Sequence, residues 1–401
     1  MANSLLSPTI ITREALRILH ANLNFIANIN KQYDNSFANS GASPSGKIGP
    51  SLTIRMPNLF TVRTGATLAT QDVVETSQVL TVSTQKGVDF VFSSQDLTLT
   101  IDEFSDRYLK PAMSKLATTI EADALSMVLD VYNAVDDSGN ALTYKDIANG
   151  RRLLNQFLAP DDGERCGILT SGHVVSFLDA IKGFFNPQES VSRPYLLGKI
   201  GKVNGINTYE NTVLTPFQSG TAAAVTGYLV NGAAQTGAAI TVDTGTTTFT
   251  KGDIITFAGV NAVDPETKND RGFLQQFVLT AAAGPTATSL AISPAIVTTG
   301  AAQNVFVGPA DNAAITKVGG AASALYQQSV LFHPEAFTFV SADLVDVSKF
   351  GAWGARQVMD SISMRIARQY NITNDTVPCR IDVLYGYKTL RPQLAVRVIA
   401  Q

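Results

Sequence analysis

The feature that most constrains this chain is a block inside it, from about residue 219 to residue 327. The block is rich in Ala, Thr and Gly, contains no His, Cys or Trp, and carries only ten charged residues. Short β-like runs recur through it: YLV, AAITVD, DIITFAGV, LQQFVLTA, TSLAISPAIV and NVFVG. Turn residues separate them at intervals of about 8–15 residues, which predicts a small all-β barrel or sandwich. At roughly 105 residues the block is long enough to hold its own core. The composition shifts near residue 219 and the alternation is too regular for a linker, so the block reads as a domain of its own.

Before the block, the pattern changes three times. Leu16, Leu19, Leu23 and Ile26 recur at helical spacing, widened by Ile18, Phe25 and Ile29, with Thr12 as the expected N-cap. A polar strap follows over 30–50. A terminal amphipathic helix on a strap must dock on its own body or on a neighbour. Over 51–99 the runs SLTIRMP, FTVRTG, TSQVLTVSTQ and VDFVFSSQ alternate with period two, which predicts a long hairpin. Such a hairpin is marginal alone and needs a partner surface.

The longest helical signal spans 102–132. Phe104, Tyr108, Ala112, Leu116, Ile120, Ala124 and Val128 step by four, with Leu109, Met113, Met127 and Val131 beside them. That predicts a rod of roughly 42 Å, kinked or started at Pro111. Further helices are expected over 146–159 and 170–182, and short strands with tight turns over 197–216. After the block, SVLFHPEAFTFVSADL returns to strand character. ISMRIARQYN and CRIDVLYGYKTLRPQLAVRVI predict long strands around the turn ITNDT. The fold class is α+β.

Composition bounds the function. The 401 residues hold 30 Lys+Arg against 33 Asp+Glu, a net charge of −3, which argues against a dedicated nucleic-acid binder. At 45% hydrophobic the chain is far from a disordered composition. No apolar run of about 18 residues predicts a membrane helix. The opening residues have no basic region followed by an apolar stretch, so no secretory signal is expected and the cytosol is the expected compartment. Only 16% of residues are charged, against about a quarter in ordinary soluble proteins. Surface hidden against other subunits would produce that deficit, and so would Thr-covered β faces.

Signals for catalysis are weak. The histidines are His20, His173 and His333; Ser171 and His173 sit close in sequence, but no G-x-S-x-G elbow is present. GKIGKVNG, over 198–205, lacks the spacing of a phosphate loop and reads as a Gly-punctuated hairpin. Asp102, Glu103 and Asp106 suit a helix N-terminus, and Asp161, Asp162 and Glu164 a charged turn; neither set has the ligand alternation of a calcium loop. Cys166 and Cys379 form neither a disulfide framework nor a zinc site. No cofactor or metal is expected. Arg365, Arg368, Arg380, Arg391 and Arg397 make the C-terminal strands the most basic region. They read as solvated strand arginines or as inter-subunit ion-pair partners, ahead of contacts to DNA.

The order of these parts, taken with several stretches, resembles the major capsid proteins of tailed phages with the Hong Kong 97-type fold. LATTIEADAL (116–125) resembles the spine helix. LGKIGKVNGINTYENTVL (197–214) resembles the stretch where a Gly-rich turn leads into a strand. LFHPEAF (331–337) and CRIDVLYGYKTLRPQLAVRV (379–398) resemble the strands that close the fold. KGDIITFAGV (251–260) resembles a strand of the inserted six-stranded barrel in coat proteins of the Salmonella short-tailed phage P22 type.

The resemblance implies an N-terminal arm (1–46) and an extended hairpin (47–93). It implies a peripheral domain with spine helix and long strands (94–140 and 354–401), an axial domain (141–220 and 329–353) and an inserted barrel (221–328). The implied role is a coat subunit that forms pentamers and hexamers of an icosahedral shell, which expands when the genome is packaged. Implied partners are other copies of the chain, a scaffolding protein, a portal protein and double-stranded DNA held non-specifically inside. Assembly is expected in the host cytoplasm and residence in the virion, with no membrane partner. Inter-subunit contacts are expected from Leu16, Leu19, Leu23 and Ile26 on the first helix, from Arg55, Arg63, Asp72 and Glu75 on the hairpin, and from Arg365 and Arg368 on the late strands. Loss of residues 1–46 is expected to leave a folded core without stable shells.

There are two departures. The acidic protruding loop of such barrels is matched here by NGAAQTGAA (231–239), short and uncharged. Lys47 and Lys86 flank the hairpin without a crosslinking motif. Other readings are an extracellular adhesin or carbohydrate-binding β protein, suggested by the Thr/Ala/Gly-rich block, and a hydrolase using Ser171 and a histidine. The adhesin would want a secretion signal and clustered Trp, and the chain has only Trp353.

Overall fold

The computed structural model describes residues 8–21, 23–32, 49–63, 65–68, 70–71, 75–93, 110–181, 201–319, 321–351, 353–359 and 361–401. In chain order these form α1 (Pro8–Ala21), β1 (Ser51–Arg55), β2 (Ser77–Thr81), β3 (Thr84–Ser93) and α2 (Lys110–Leu125). Then come β4 (Ala134–Asp137), α3 (Tyr144–Gln156), β5 (Cys166–Leu169), α4 (Ser171–Ile181), β6 (Lys202–Val203), β7 (Ile206–Glu210) and β8 (Phe217–Gln218). The block predicted to be all-β supplies β9 (Val225–Val230), β10 (Gly237–Asp243), β11 (Ile254–Val263), β12 (Asp270–Leu279), β13 (Ser289–Ile296) and β14 (Ala314–Lys317). The chain closes with β15 (Leu325–Phe332), β16 (Phe337–Ala342), β17 (Trp353–Met359), β18 (Ile362–Arg368), β19 (Thr376–Thr389) and β20 (Ala395–Ala400). The described residues divide into two compact units, one within 1–55, 77–125 and 337–388, the other within 56–76, 126–336 and 389–401.

In the first unit, β16, β19, β18 and β17 form a sheet in that order, and β3 adds to β19. The β3–β19 register runs from Thr376↔Ser93 to Tyr385↔Thr84. Helix α1 packs on α2, β17 and β18. Leu16, Leu19, Leu23, Phe25 and Ile26 share this core with Met113, Leu116, Ile120, Phe337, Met364, Ile366 and Ile381, all buried. The α2 residue Glu121 is buried and acts as a cap in tertiary space. Its carboxylate accepts the backbone N–H of Asn24 (3.0 Å) and of Phe25 (2.5 Å), where the 3-10 turn Ile26–Asn28 begins. Negative charge at a helical N-terminus satisfies orphan donors and suits the dipole.

Three expectations change here. Thr12 lies inside α1, four residues from its first described residue, so it is not the cap. Helix α1 ends at Ala21, so Leu23 and Ile26 fall beyond it, in the turn that Glu121 holds. The described spine helix covers 16 residues, about 24 Å. Its first described residue is Lys110, and it ends at Leu125, where a 3-10 stretch (Ser126–Asp130) takes over before the expected end at 132. Phe104, Tyr108 and Leu109 lie outside the described residues. Because Ala15, Leu16, Leu19, Leu23, Phe25, Ile26 and Ile29 are buried in this unit, removal of 1–46 is expected to strip a buried layer and not to leave the core intact.

In the second unit a seven-stranded sheet runs β4-β20-β15-β5-β7-β6, with β8 on the end of β15. The β20–β4 and β5–β7 pairs are parallel. Helix α3 opens with a capping box: the backbone N–H and hydroxyl of Thr143 both donate to the Asp146 carboxylate, at 2.8 and 2.6 Å. Gly150 lets α3 lie close on the sheet, since a Cβ there would stand 2.5 Å from Leu331 Cδ1. The GKIGKVNG stretch contributes the β6–β7 hairpin, whose Asn204 and Gly205 both take positive φ, as a two-residue hairpin turn requires.

The inserted block closes into a barrel, β10-β13-β12-β11-β14-β9. Tyr228, Val230, Ile240, Phe249, Phe257, Phe277, Leu290 and Ile315 fill it. One strand differs from the expectation. NVFVG is not a strand: Val305 makes a single bridge to Ala262 and sends its side chain into the core. The sixth strand is β14, whose AITK sequence carries too little apolar periodicity to be read alone. At the barrel entry Gly220 leaves no room for a side chain, because a Cβ would stand 2.2 Å from the Thr248 carbonyl oxygen. Gly220→Ala is expected to lower stability by about 1–3 kcal/mol, read as the denaturant midpoint of the purified subunit.

Candidate assembly surfaces

Strands β1 and β2 pair antiparallel from Ser51↔Thr81 to Arg55↔Ser77. In the segment between them, Met56 N–H donates to the Thr76 carbonyl at 2.8 Å. Gln71 clips Thr61: its Oε1 accepts the Thr61 N–H and hydroxyl, both at 2.9 Å, and its Nε2 donates to the Thr61 carbonyl at 3.0 Å. A loop held in this way still presents Leu59 (62% exposed), Phe60 (61%), Val62 (97%) and Leu68 (79%) to solvent. Four large apolar side chains on one loop are the kind of patch that another protein surface covers. The sequence reading singled out charged residues here and missed these. The FTVRTG alternation was the signal, since among the described residues no sheet face covers its apolar positions Phe60 and Val62.

The structure distributes the expected contact residues unevenly. Arg55 and Glu75 are exposed. Arg63 turns onto its own loop, donating to the carbonyls of Gly65 and Thr67. Asp72 lies outside the described residues. Leu16, Leu19, Leu23 and Ile26 are consumed by the core of their own unit, at 0–3% exposure. Arg365 pairs with Asp382 at 2.7 Å, and Asp382 also accepts from Arg380 at 2.8 Å. Arg368 lies over the Trp353 ring, 3.7 Å from its centroid. Arg391 pairs with Glu335 at 2.7 Å. The late-strand arginines therefore have partners within the chain.

The second unit contains a buried polar seat where the barrel joins the sheet, and sequence reasoning did not find it. Asp253 is buried; its Oδ2 accepts Gly220 N–H (3.1 Å), Thr250 N–H (2.8 Å) and the Thr250 hydroxyl (3.2 Å). Lys317 is buried too, donating to Ser219 Oγ (3.2 Å) and the Ala321 carbonyl (2.8 Å). Burial pushes its ammonium below the ordinary lysine range, while the Asp253 charge opposes the shift. Arg397, from β20, is fully buried and donates to the Gly252 carbonyl at 2.6 Å. Burial brings its guanidinium down to about 10, with Asp253 and Asp130 opposing.

Backbone bonds complete the seat. Gln276 of β12 clamps Ala134 of β4, accepting its N–H at 2.6 Å and donating to its carbonyl at 3.0 Å. Gly319 N–H donates to Asp136 at 2.8 Å. Tyr132, Ala134, Ile254, Val278, Tyr326 and Ile399 form the apolar layer beside it. Asp253→Ala strands three donors and leaves Lys317 without its counter-charge. A loss of about 3 kcal/mol is expected, measured by urea unfolding, with Lys317→Met in the same chain restoring part of it.

The residues weighed for catalysis have structural places. His173 is buried, with Nδ1 2.6 Å from Ser329 Oγ. His333 Nε2 is 3.0 Å from Asp162. Burial pushes both cysteine thiols up to about 11, away from reactivity. Among the described residues no acidic, His and Cys groups cluster to hold a metal, and no helix is long and apolar enough to cross a membrane. Burial also holds the His173 imidazole below its ordinary 6.5. As pH falls, the unfolded chain takes up this proton before the folded one. The stability contributed by neutral His173 is therefore whole above 6.5 and declines as pH drops below it. His173→Asn, which keeps a bonding group for Ser329, is expected to flatten the decline between about pH 7 and 5, measured as urea midpoints across that range.

The architecture, with its long-stranded sheet, second sheet and inserted closed barrel, defines a class, the tailed-phage capsid fold. A chain described as Mycobacterium phage Che8 matches with a TM-score of 0.51 at 13% identity, covering 94% of this chain and 90% of that one. The capsid of Ralstonia phage GP4 matches with a TM-score of 0.47 at 7% identity (93% and 87% covered). The capsid of the cyanophage P-SCSP1u matches with 0.46 at 11% (88% and 84%). A search of curated protein sequences returns no match. The family model described as P22 coat protein, gene protein 5, matches residues 41–398, and the chain belongs to that family. It is a major capsid protein of a tailed phage, a component of the virion that associates with copies of itself.

Proposed function

We propose that this chain forms pentamers and hexamers of an icosahedral shell, with the segment 56–76 of each subunit lying on a neighbour. One observation carries the reading: Leu59, Phe60, Val62 and Leu68 stand exposed on a loop internally clipped by Gln71. Covering them removes apolar surface from water, the dominant gain in obligate interfaces. Arg55, Arg63 and Glu75, with Asp72, then serve at the polar rim of that contact, where charge sets register more than affinity. Leu16, Leu19, Leu23 and Ile26 act within the subunit.

The division into arm, hairpin, peripheral domain, axial domain and inserted barrel assigns a job to each part. In this reading the arm and spine serve the body of the subunit, the hairpin serves contact with a neighbour, and the barrel serves the axial sheet that it interrupts. Assembly takes place in the host cytoplasm with a scaffolding protein and from a portal. The shell then expands around double-stranded DNA held without sequence preference. The net charge of −3 fits a weak, non-specific contact with the genome. The role is structural, not enzymatic. Two features support this: no G-x-S-x-G elbow is present, and His173 and His333 are occupied by Ser329 and Asp162.

The test is the double variant Phe60→Asp with Val62→Asp. Both side chains are exposed, so subunit stability is expected to stay within about 0.5 kcal/mol of the parent. Electron microscopy of the variant is expected to show no closed shells under conditions where the parent forms them. Parent-like shells from the variant would overturn the assignment of this loop.

A further inference from the structure

The solvent-facing side of α3 carries Ala148, Arg151, Arg152, Asn155 and Gln156, spaced by three and four residues. The opposite side buries Ile147, Leu153 and Leu154. The polar side forms one wall of an open groove of about 530 Å³, completed by Asn204 of the β6–β7 turn and Arg271 of β12. Three guanidinium groups therefore share one concavity.

Their partners leave donors over. Arg151 bonds Asn204 Oδ1 at 2.9 Å and Asp161 at 3.1 Å. Arg271 uses Nη2 on Asp264 at 2.7 Å, while its Nη1 is buried without a partner. The Oε1 of Gln156, in the same lining, is also buried without a partner. Asn155 spends its Oδ1 on Arg165 Nη1 at 2.7 Å, which leaves its NH₂ to donate. Arg152 is exposed and makes no hydrogen bond or ion pair among the described residues. Three cations against the carboxylates of Asp161 and Asp264 leave the groove one positive charge in excess.

Buried polar atoms without partners are rare in folded proteins and commonly mark an ion or water site. Guanidinium groups present paired N–H donors that match a tetrahedral oxyanion. The amide of Gln156 turned over would present its NH₂ in place of Oε1, adding a donor. We propose that this groove binds a phosphate-class oxyanion, gripped between Arg152 and Arg271 and steadied by Arg151 and Asn155. A bound anion would tie the outer face of α3 to the β11–β12 hairpin of the barrel by charge-assisted bonds.

Free phosphate and phosphate carried on a nucleotide chain offer the same chemistry, so the test uses both. Full-length subunits are titrated calorimetrically with inorganic phosphate, and separately with a ten-nucleotide oligothymidylate, at fixed ionic strength in chloride. Saturable binding of one probe is expected, weakened about tenfold or more by Arg152→Gln. Lys145→Gln removes an equal charge from the first turn of the same helix, outside the groove, and is expected to leave affinity within about twofold. Phosphate is also expected to raise the melting temperature of the parent and not that of the Arg152→Gln chain. Binding of phosphate alone identifies a free-ion site, and binding of the oligonucleotide alone a polymer phosphate. No saturable binding of either probe, or equal losses in Arg152→Gln and Lys145→Gln, would overturn the proposal.

Discussion

The inserted barrel depends on one short pairing. Strands β8 and β15 pair through Gln218↔Leu325 and Phe217↔Tyr326, so the chain enters and leaves the barrel at the same point. Ser219 N–H donates to the Ala324 carbonyl at 3.0 Å, and Ser323 N–H to the Gly220 carbonyl at 2.9 Å, extending the clasp. A folded domain can interrupt another only where its two ends meet, because the host strands on either side must still find their own partners. Here β15 goes on to pair with both β5 and β20 at the centre of the sheet. The buried group of Asp253, Lys317 and Arg397 sits beside this clasp. It gives the junction a fixed geometry, since charges removed from water tolerate few arrangements.

Much of this was legible in the sequence, for identifiable reasons. The runs from 225 to 296 showed the barrel because strands such as β9 and the end of β10 alternate between a filled interior and solvent. The late strands were legible because Ile366, Ile381 and Val383 recur on a buried face. The helix stripe of Leu16 and Leu19 was legible as well, though its destination was not. An apolar face predicts burial but does not name the surface that buries it. Here that surface lies within the same unit.

The missed features are non-local. Nothing near residue 121 indicates that Glu121 caps a turn almost a hundred residues earlier. The seat joins residues 219, 253, 317 and 397, each ordinary in its own segment. Lys317 ends a strand too polar to be recognised, and Arg397 looked like one of several surface arginines. The exposed tip was hidden for the opposite reason. FTVRTG has a strand's alternation but no partner strand among the described residues, and only the fold reveals that Phe60 and Val62 are left outside.

In the proposed assembly the apolar residues of the 56–76 loop, exposed in the single chain, supply adhesion once a neighbour is present. The low charge content fits a surface destined to be covered by other copies. The most direct measurement is electron cryomicroscopy of particles assembled from the full chain. The account predicts density for Phe60 and Val62 packed against an adjacent subunit at every position in the shell. Shells in which that loop faces solvent throughout, or a preparation holding only free 42.6 kDa subunits under all assembly conditions, would contradict it.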